Sequence, residues 1–182
     1  DEVEADGRQT PNIEAPTSGG THNVAAFDAY LRGKALYSLH ADEKTYREAL
    51  AEFDAAIAED PKYAAAYSAR ARSLTSIANQ YATADQFIAL YGEAEAAARK
   101  AVSLAPRYAD AQSTLGVVLF QGKLDFRGAR HPFEVSRRLG PGDANVLARF
   151  ATFCSAVGRF NEATEAMSRA LKLDPLNPAM YN

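Results

Sequence analysis

The chain has 182 residues, the size of one domain or of a short array of repeats. Alanine supplies 38 of them, against 11 Gly and no Trp, which disfavours an all-β fold because Ala is the best helix former and a poor strand residue. One cysteine excludes an internal disulfide and a multi-cysteine metal site, and no apolar run approaches the roughly 18–20 residues of a membrane span. The net charge of −3 conceals an asymmetry. Residues 1–22 hold five acids against Arg8, and residues 23–98 hold eleven acids against seven Lys/Arg. Residues 99–160 reverse this, with ten Lys/Arg against four acids. An acidic first half therefore meets a basic patch at Arg127, Arg130, Arg137, Arg138, Arg149 and Arg159.

Residues 1–22 read as an acidic linker or tail: Gly7, Pro11, Pro16, Gly19 and Gly20 stand among Ser, Thr and acids without apolar periodicity. The chain opens on Asp1 with no leader pattern, so it is read as a processed chain or an excised fragment. From Asn23 a repeat takes over. Four segments place a small residue, a bulkier one or its substitute four later, a small one three later, and a proline five later. They are Ala49, Phe53, Ala56, Pro61; Ala94, Ala98, Ala101, Pro106; Ala129, Phe133, Ser136, Pro141; and Ala163, Met167, Ala170, Pro175. Upstream of each lies a second helix with a small residue at its crossing point, Gly33, Ala71, Gly116 or Ala151. Leu36, Leu74, Leu119 and Cys154 follow three residues on, as packing residues.

Steps of three, four and seven hold these residues on one helix face. Small residues let two antiparallel backbones approach, and larger ones fill the gaps beside them. The proline, lacking an N–H, ends each second helix and turns the chain into the next hairpin.

This pattern resembles the tetratricopeptide repeat over residues 25–176. The resemblance implies an all-α right-handed superhelix of four helical hairpins, about 25–63, 64–108, 109–143 and 144–177, with a capping helix starting at Ala179. The last copy keeps the 34-residue period, with 12 residues separating Ala151 from Ala163. The corresponding separations in the first three are 16, 23 and 13, so repeats one and two carry insertions of four and eleven residues. Both insertions read as lengthened helices forming a raised ridge, with Thr45-Tyr46-Arg47-Glu48 and the capping box Thr83-Ala84-Asp85-Gln86 as start signals. Tyr81, Phe87 and Tyr91 either cement that ridge or offer it to a partner. Pro132, inside the second helix of repeat three, predicts a late start or a bend.

A narrower resemblance rests on Ala25 to Gly33, ending in Tyr30-Leu31-Arg32-Gly33, and on Asp174-Pro-Leu-Asn-Pro178. It is similar to the repeat region on the C-terminal side of bacterial winged-helix transcription regulators and class III adenylate cyclases. That implies a regulatory or sensory module serving an effector domain.

The residues offer no catalytic constellation. His22, His40 and His131 lie apart without i, i+4 partners, so neither a metal nor a cofactor is expected. Cys154 takes a packing position and reads as a buried small hydrophobe. The overall negative charge argues against nucleic acid as the partner of the basic patch, leaving an acidic peptide or the chain's own tail. In this repeat architecture the first helices line a concave peptide groove. Carried over position by position, the resemblance puts Tyr30, Lys34, Ser68, Arg72, Ser113, Thr114, Asn145 and Arg149 there, with Val117 and Thr152 beside them. The function expected is protein–protein interaction without catalysis, with Lys34, Arg72 and Arg149 holding an extended acidic segment. The alternative is assembly or homodimerisation through the ridge or by pairing of the acidic and basic halves. The compartment expected is the cytoplasm, or else the periplasmic side of a larger membrane protein.

Overall fold

The computed structural model describes residues 19–176, in which every regular element is helical. Helices α1 (Val24–Ser38) and α2 (Glu43–Glu59) form the first hairpin, and α3 (Ala64–Tyr81) and α4 (Ala84–Leu104) the second. The third pairs α5 (Ala109–Val117), extended by a π-helical turn over Val118–Gly122, with α6 (Phe126–Leu139). The fourth is α7 (Ala144–Ala156) with α8 (Phe160–Leu173). Each pair packs antiparallel, and the hairpins stack in chain order as a right-handed superhelix. The capping helix expected from Ala179 and most of the acidic tail lie outside the described residues.

The crossing points follow a volume rule. A Cβ on Gly33 would stand 2.7 Å from the Phe53 ring, and one on Gly116 would stand 2.9 Å from Phe133. Where the first helix carries Gly the second carries Phe; where it carries Ala71 or Ala151, the second carries Ala98 or Met167. Close-packed interiors require this exchange of volume across the contact. Phe53 and Phe133 are fully buried, each contributing roughly 2–3 kcal/mol of burial.

Repeat two rises above its neighbours. From crossing residue to helix end, α3 runs ten residues and α7 five, a difference of about 8 Å at 1.5 Å per residue. The Thr83–Gln86 capping box opens α4 as read from the sequence. At α2 the start lies earlier than Thr45: Asp42 is the N-cap, and its Oδ1 accepts from both the Thr45 amide and hydroxyl. Tyr91 is fully buried and donates to Asn79 Oδ1 at 2.9 Å, while Phe87 tilts against it at 4.6 Å between centroids. Tyr81, 37% exposed, leans on Tyr46 at 6.2 Å. Tyr91 and Phe87 thus cement the ridge, whereas Tyr81 stays at its surface.

The thirteenth residue between Gly116 and Ala129 is carried by the π-helical turn, which holds the one-residue surplus inside a helix. The turn brings Gly122 against the Tyr91 ring, where no Cβ fits. Helix α6 starts three residues before Ala129, as α8 starts three before Ala163, and continues past Pro132. Its start is therefore not late, contrary to one of the two outcomes read from Pro132.

Candidate functional site: the concave groove

Residues of α1, α3, α5 and α7, the first helix of every hairpin, line one groove of about 720 Å³, joined by Asp174 and Leu176 beyond α8. Small residues at the crossing points bring each second helix up behind, leaving the first helices' opposite faces turned to the groove. Five of the eight residues carried over from the repeat motif line it: Tyr30, Lys34, Arg72, Asn145 and Arg149. Ser68, Ser113 and Thr114 are instead sealed beneath its floor, at no more than 1% exposure. Val117 is half-buried against the core, and Thr152 belongs to a different depression between α7 and α8.

The floor is organised by Asp110, a residue not among those carried over from the motif. Its Oδ1 accepts from Arg72 Nη1 at 2.5 Å and from Arg149 Nη1 at 2.8 Å, while its Oδ2 accepts from the Ser68 hydroxyl at 2.6 Å. Ser68 in turn contacts Thr114 Oγ1 at 2.9 Å, and Arg149 Nη1 reaches Ser113 Oγ at 3.4 Å. The three buried hydroxyl residues thus hold the carboxylate and its arginines in place. Burial alone would raise the Asp110 carboxyl, but the two guanidiniums outweigh it and hold the group well below the usual carboxylate range. Burial opposes the charge on Arg72 likewise, and Asp110 overcomes it.

Two cations on one anion leave one positive charge in excess. Each arginine gives Nη1 to Asp110, that of Arg149 reaching Ser113 as well, and among the described residues their Nε and Nη2 groups hold no bond. Arg72 also lies over the Tyr37 ring at 6.0 Å, and Lys34 over the Tyr30 ring at 5.6 Å. Asp143, also in the lining, caps α7 by accepting from the Asn145 and Val146 amides, and with Asp174 it adds negative charge to the groove away from the Asp110 floor. The arrangement is a rigid, aromatic-walled trough with guanidinium donors still open, suited to a carboxylate.

Asp110 was within reach of the sequence. It stands six residues before Gly116, as Asn145 stands six before Ala151, so the position that named Asn145 names Asp110 too. Tyr37 and Tyr108, also in the groove wall, carried no such signal.

The basic patch divides. Arg149 turns into the groove, whereas Arg159 binds Glu134 at 2.8 Å and Glu162 at 2.5 Å and lies over Phe150 beside Arg137. Arg127, Arg130 and Arg138 remain exposed. Cys154 is fully buried, and burial pushes its thiol up to about 11, the environment of an inert packing residue. Among the described residues no group of His, Cys, Asp or Glu is placed to hold a metal, and no helix is long and apolar enough to cross a membrane.

No family model matches the chain, nor does any curated protein. Solved structures do. TTC0263, a thermophilic TPR protein of Thermus thermophilus, superposes with a TM-score of 0.59 at 17% identity, covering 86% of this chain and 95% of that one. MamA superposes at 0.55 and 19% identity, covering 84% and 80%, and MamA 41-end from Desulfovibrio magneticus RS-1 at 0.55 and 18%, covering 84% and 77%. At such identities the likeness is one of architecture, and the four stacked hairpins have the tetratricopeptide-repeat fold.

Proposed function

We propose that the chain is a protein–protein interaction module, without catalytic activity of its own, that holds an extended acidic peptide in its concave groove. The observation that carries this reading is the pair of guanidiniums fixed on Asp110 with donors left open. An extended peptide passing over them exchanges water for charge-assisted hydrogen bonds at groups that are already ordered, so little side-chain entropy is lost on binding. The Tyr30-Leu31-Arg32-Gly33 opening supports the regulatory or sensory region of a bacterial signalling protein as its setting.

The test is fluorescence anisotropy with labelled twelve-residue peptides, one Glu-rich and one with every Glu replaced by Gln. The Glu-rich peptide is expected to bind the protein and to lose at least tenfold in affinity when Arg149→Met and Lys34→Met are combined. Equal binding of the two peptides refutes the reading.

A row of exposed apolar residues favours self-assembly as a second reading. Leu39, Tyr81, Ile88, Leu124, Phe126, Val157 and Phe160 all lie at or near the turns inside the four hairpins, along one edge of the stack. Leu124 takes a positive φ of 52°, a strained conformation for leucine, with its side chain 69% exposed. A dimer formed through this edge persists in high salt and is lost in Leu124→Lys with Phe160→Lys, as read by light scattering.

A further inference from the structure

We infer that residues 1–18, the acidic segment preceding Gly19, occupy the concave groove of their own chain, their carboxylates on Lys34, Arg72 and Arg149. This rests on the acidic-peptide reading of the groove and names a ligand for it within the same molecule.

The first support is where the chain is delivered. Residues 19–23, read from the sequence as the end of a linker and the first residue after it, are firmly seated. Gly19 accepts a hydrogen bond from the Ala65 amide at 2.9 Å. Thr21 is 1% exposed and donates to Asp60 Oδ2 at 2.5 Å. Asn23 caps α1 and donates from Nδ2 to the Glu59 carbonyl at 2.9 Å. These bonds leave Gly19 lying flat on the ring of Tyr108, a wall of the groove. A Cβ at position 19 would stand 2.7 Å from Tyr108 Cδ1, and φ is +89°, so only glycine meets both demands. Gly19, the first described residue after the acidic segment, therefore stands at the rim of the groove.

Charge and reach supply the second support. Residues 1–18 hold Asp1, Glu2, Glu4, Asp6 and Glu14 against Arg8, a net −4. The groove lining as a whole sets Lys34, Arg72 and Arg149 against Asp110, Asp143 and Asp174, and the positive excess is confined to the floor, where two arginines share Asp110. Eighteen residues span up to about 60 Å, enough to cross four helices packed roughly 10 Å apart. A segment tethered at the rim meets the groove at an effective concentration of about 1 mM, so an intrinsic Kd of about 0.1 mM keeps it filled about nine times in ten. The groove is then closed to an outside peptide unless that peptide binds tightly enough to displace the segment, and the apparent affinity falls by about tenfold.

The experiment compares the full chain with a variant in which the five tail acids are neutralised (Asp1→Asn, Glu2→Gln, Glu4→Gln, Asp6→Asn, Glu14→Gln). None of these lies in the described core. The probe is a labelled free peptide with the sequence of residues 1–18, titrated at low salt. It is expected to bind the neutralised variant about tenfold more tightly than the full chain. Equal binding overturns occupancy in cis while leaving the acidic-peptide reading intact. Binding to neither overturns the segment as a ligand, and the Glu-rich peptide then decides that reading separately. A nitroxide on Glu4→Cys, with Cys154 buried and unreactive, gives an independent readout. Amide signals of Lys34, Arg72 and Asn145 are expected to broaden; broadening confined to α2, α4, α6 or α8 sinks the proposal.

Discussion

Replacing Asp110 by asparagine keeps the shape of the side chain and removes the charge that Arg72 and Arg149 share. The carboxylate side chain is 12% exposed, and its arginines 19% and 25%, so all three are largely withdrawn from water. Removing one partner of a buried ion pair costs about 3–5 kcal/mol, because the remaining charge stays desolvated. Partial exposure of the arginines and the retained acceptor for Ser68 bring the expected loss for Asp110→Asn to about 2–4 kcal/mol. At roughly 2–4 °C per kcal/mol for a chain this long, the Tm falls by about 5–15 °C.

The same carboxylate ties α5 to α3 on one side and α7 on the other, so its loss weakens two repeat interfaces at once. Repeat arrays depend on such nearest-neighbour interfaces for cooperativity, and the urea transition of the variant is expected to broaden. The pH dependence has a definite sign. The folded carboxyl lies below its unfolded value, so its stabilisation is present above about pH 4 and is lost as the pH falls towards the folded value. Urea titrations followed by circular dichroism at pH 7 and pH 3 should show a gap between wild type and variant that narrows at the lower pH. A loss under 1 kcal/mol at pH 7, or a gap unchanged at pH 3, refutes the account of Asp110 as the electrostatic hub of the groove.

Gly33→Ala is expected to cost about 1–3 kcal/mol by overpacking against Phe53, and Phe53→Met in the same chain, which recreates the Ala151–Met167 pairing, should recover part of that loss in thermal melts. At Gly122, substitution by Ala should displace Tyr91 and free Asn79, read as faster amide hydrogen exchange at the ends of α3 and α4; unchanged exchange would contradict the packing seen there. The Cys154 thiol should react with a disulfide reagent at pH 8 only as fast as the fourth hairpin opens, so the rate should follow urea concentration, and rapid labelling of the native protein would contradict its burial.

What the sequence disclosed was set by range. The small-and-bulky spacing operates within one hairpin, where periodicity on two helix faces is enough to pair Gly33 with Phe53 or Gly116 with Phe133. The π-helical turn was visible only as a surplus residue. Whether such a surplus makes a loop or a π turn depends on a neighbouring repeat, here on Tyr91 packing where Gly122 lacks a side chain. Asp42 displaced Thr45 as the start of α2 because a capping residue competes with every other acceptor nearby, and a lone motif match does not register the competition.

Charge was the least local feature of all. Tallies along the chain set an acidic half against a basic one, yet the groove floor takes Arg72 from the acidic half and Arg149 from the basic half. Stacking brings these two, from the second and fourth repeats, onto a carboxylate of the third. Meanwhile Arg159, counted in the basic patch, is bound to Glu134 and Glu162. The charge that a ligand meets is therefore what remains after neighbouring repeats have paired their own, and that remainder is a property of the stack. It follows that reversing an exposed patch charge such as Arg127 should leave groove affinity nearly unchanged, whereas losing Arg149 should change affinity and stability together.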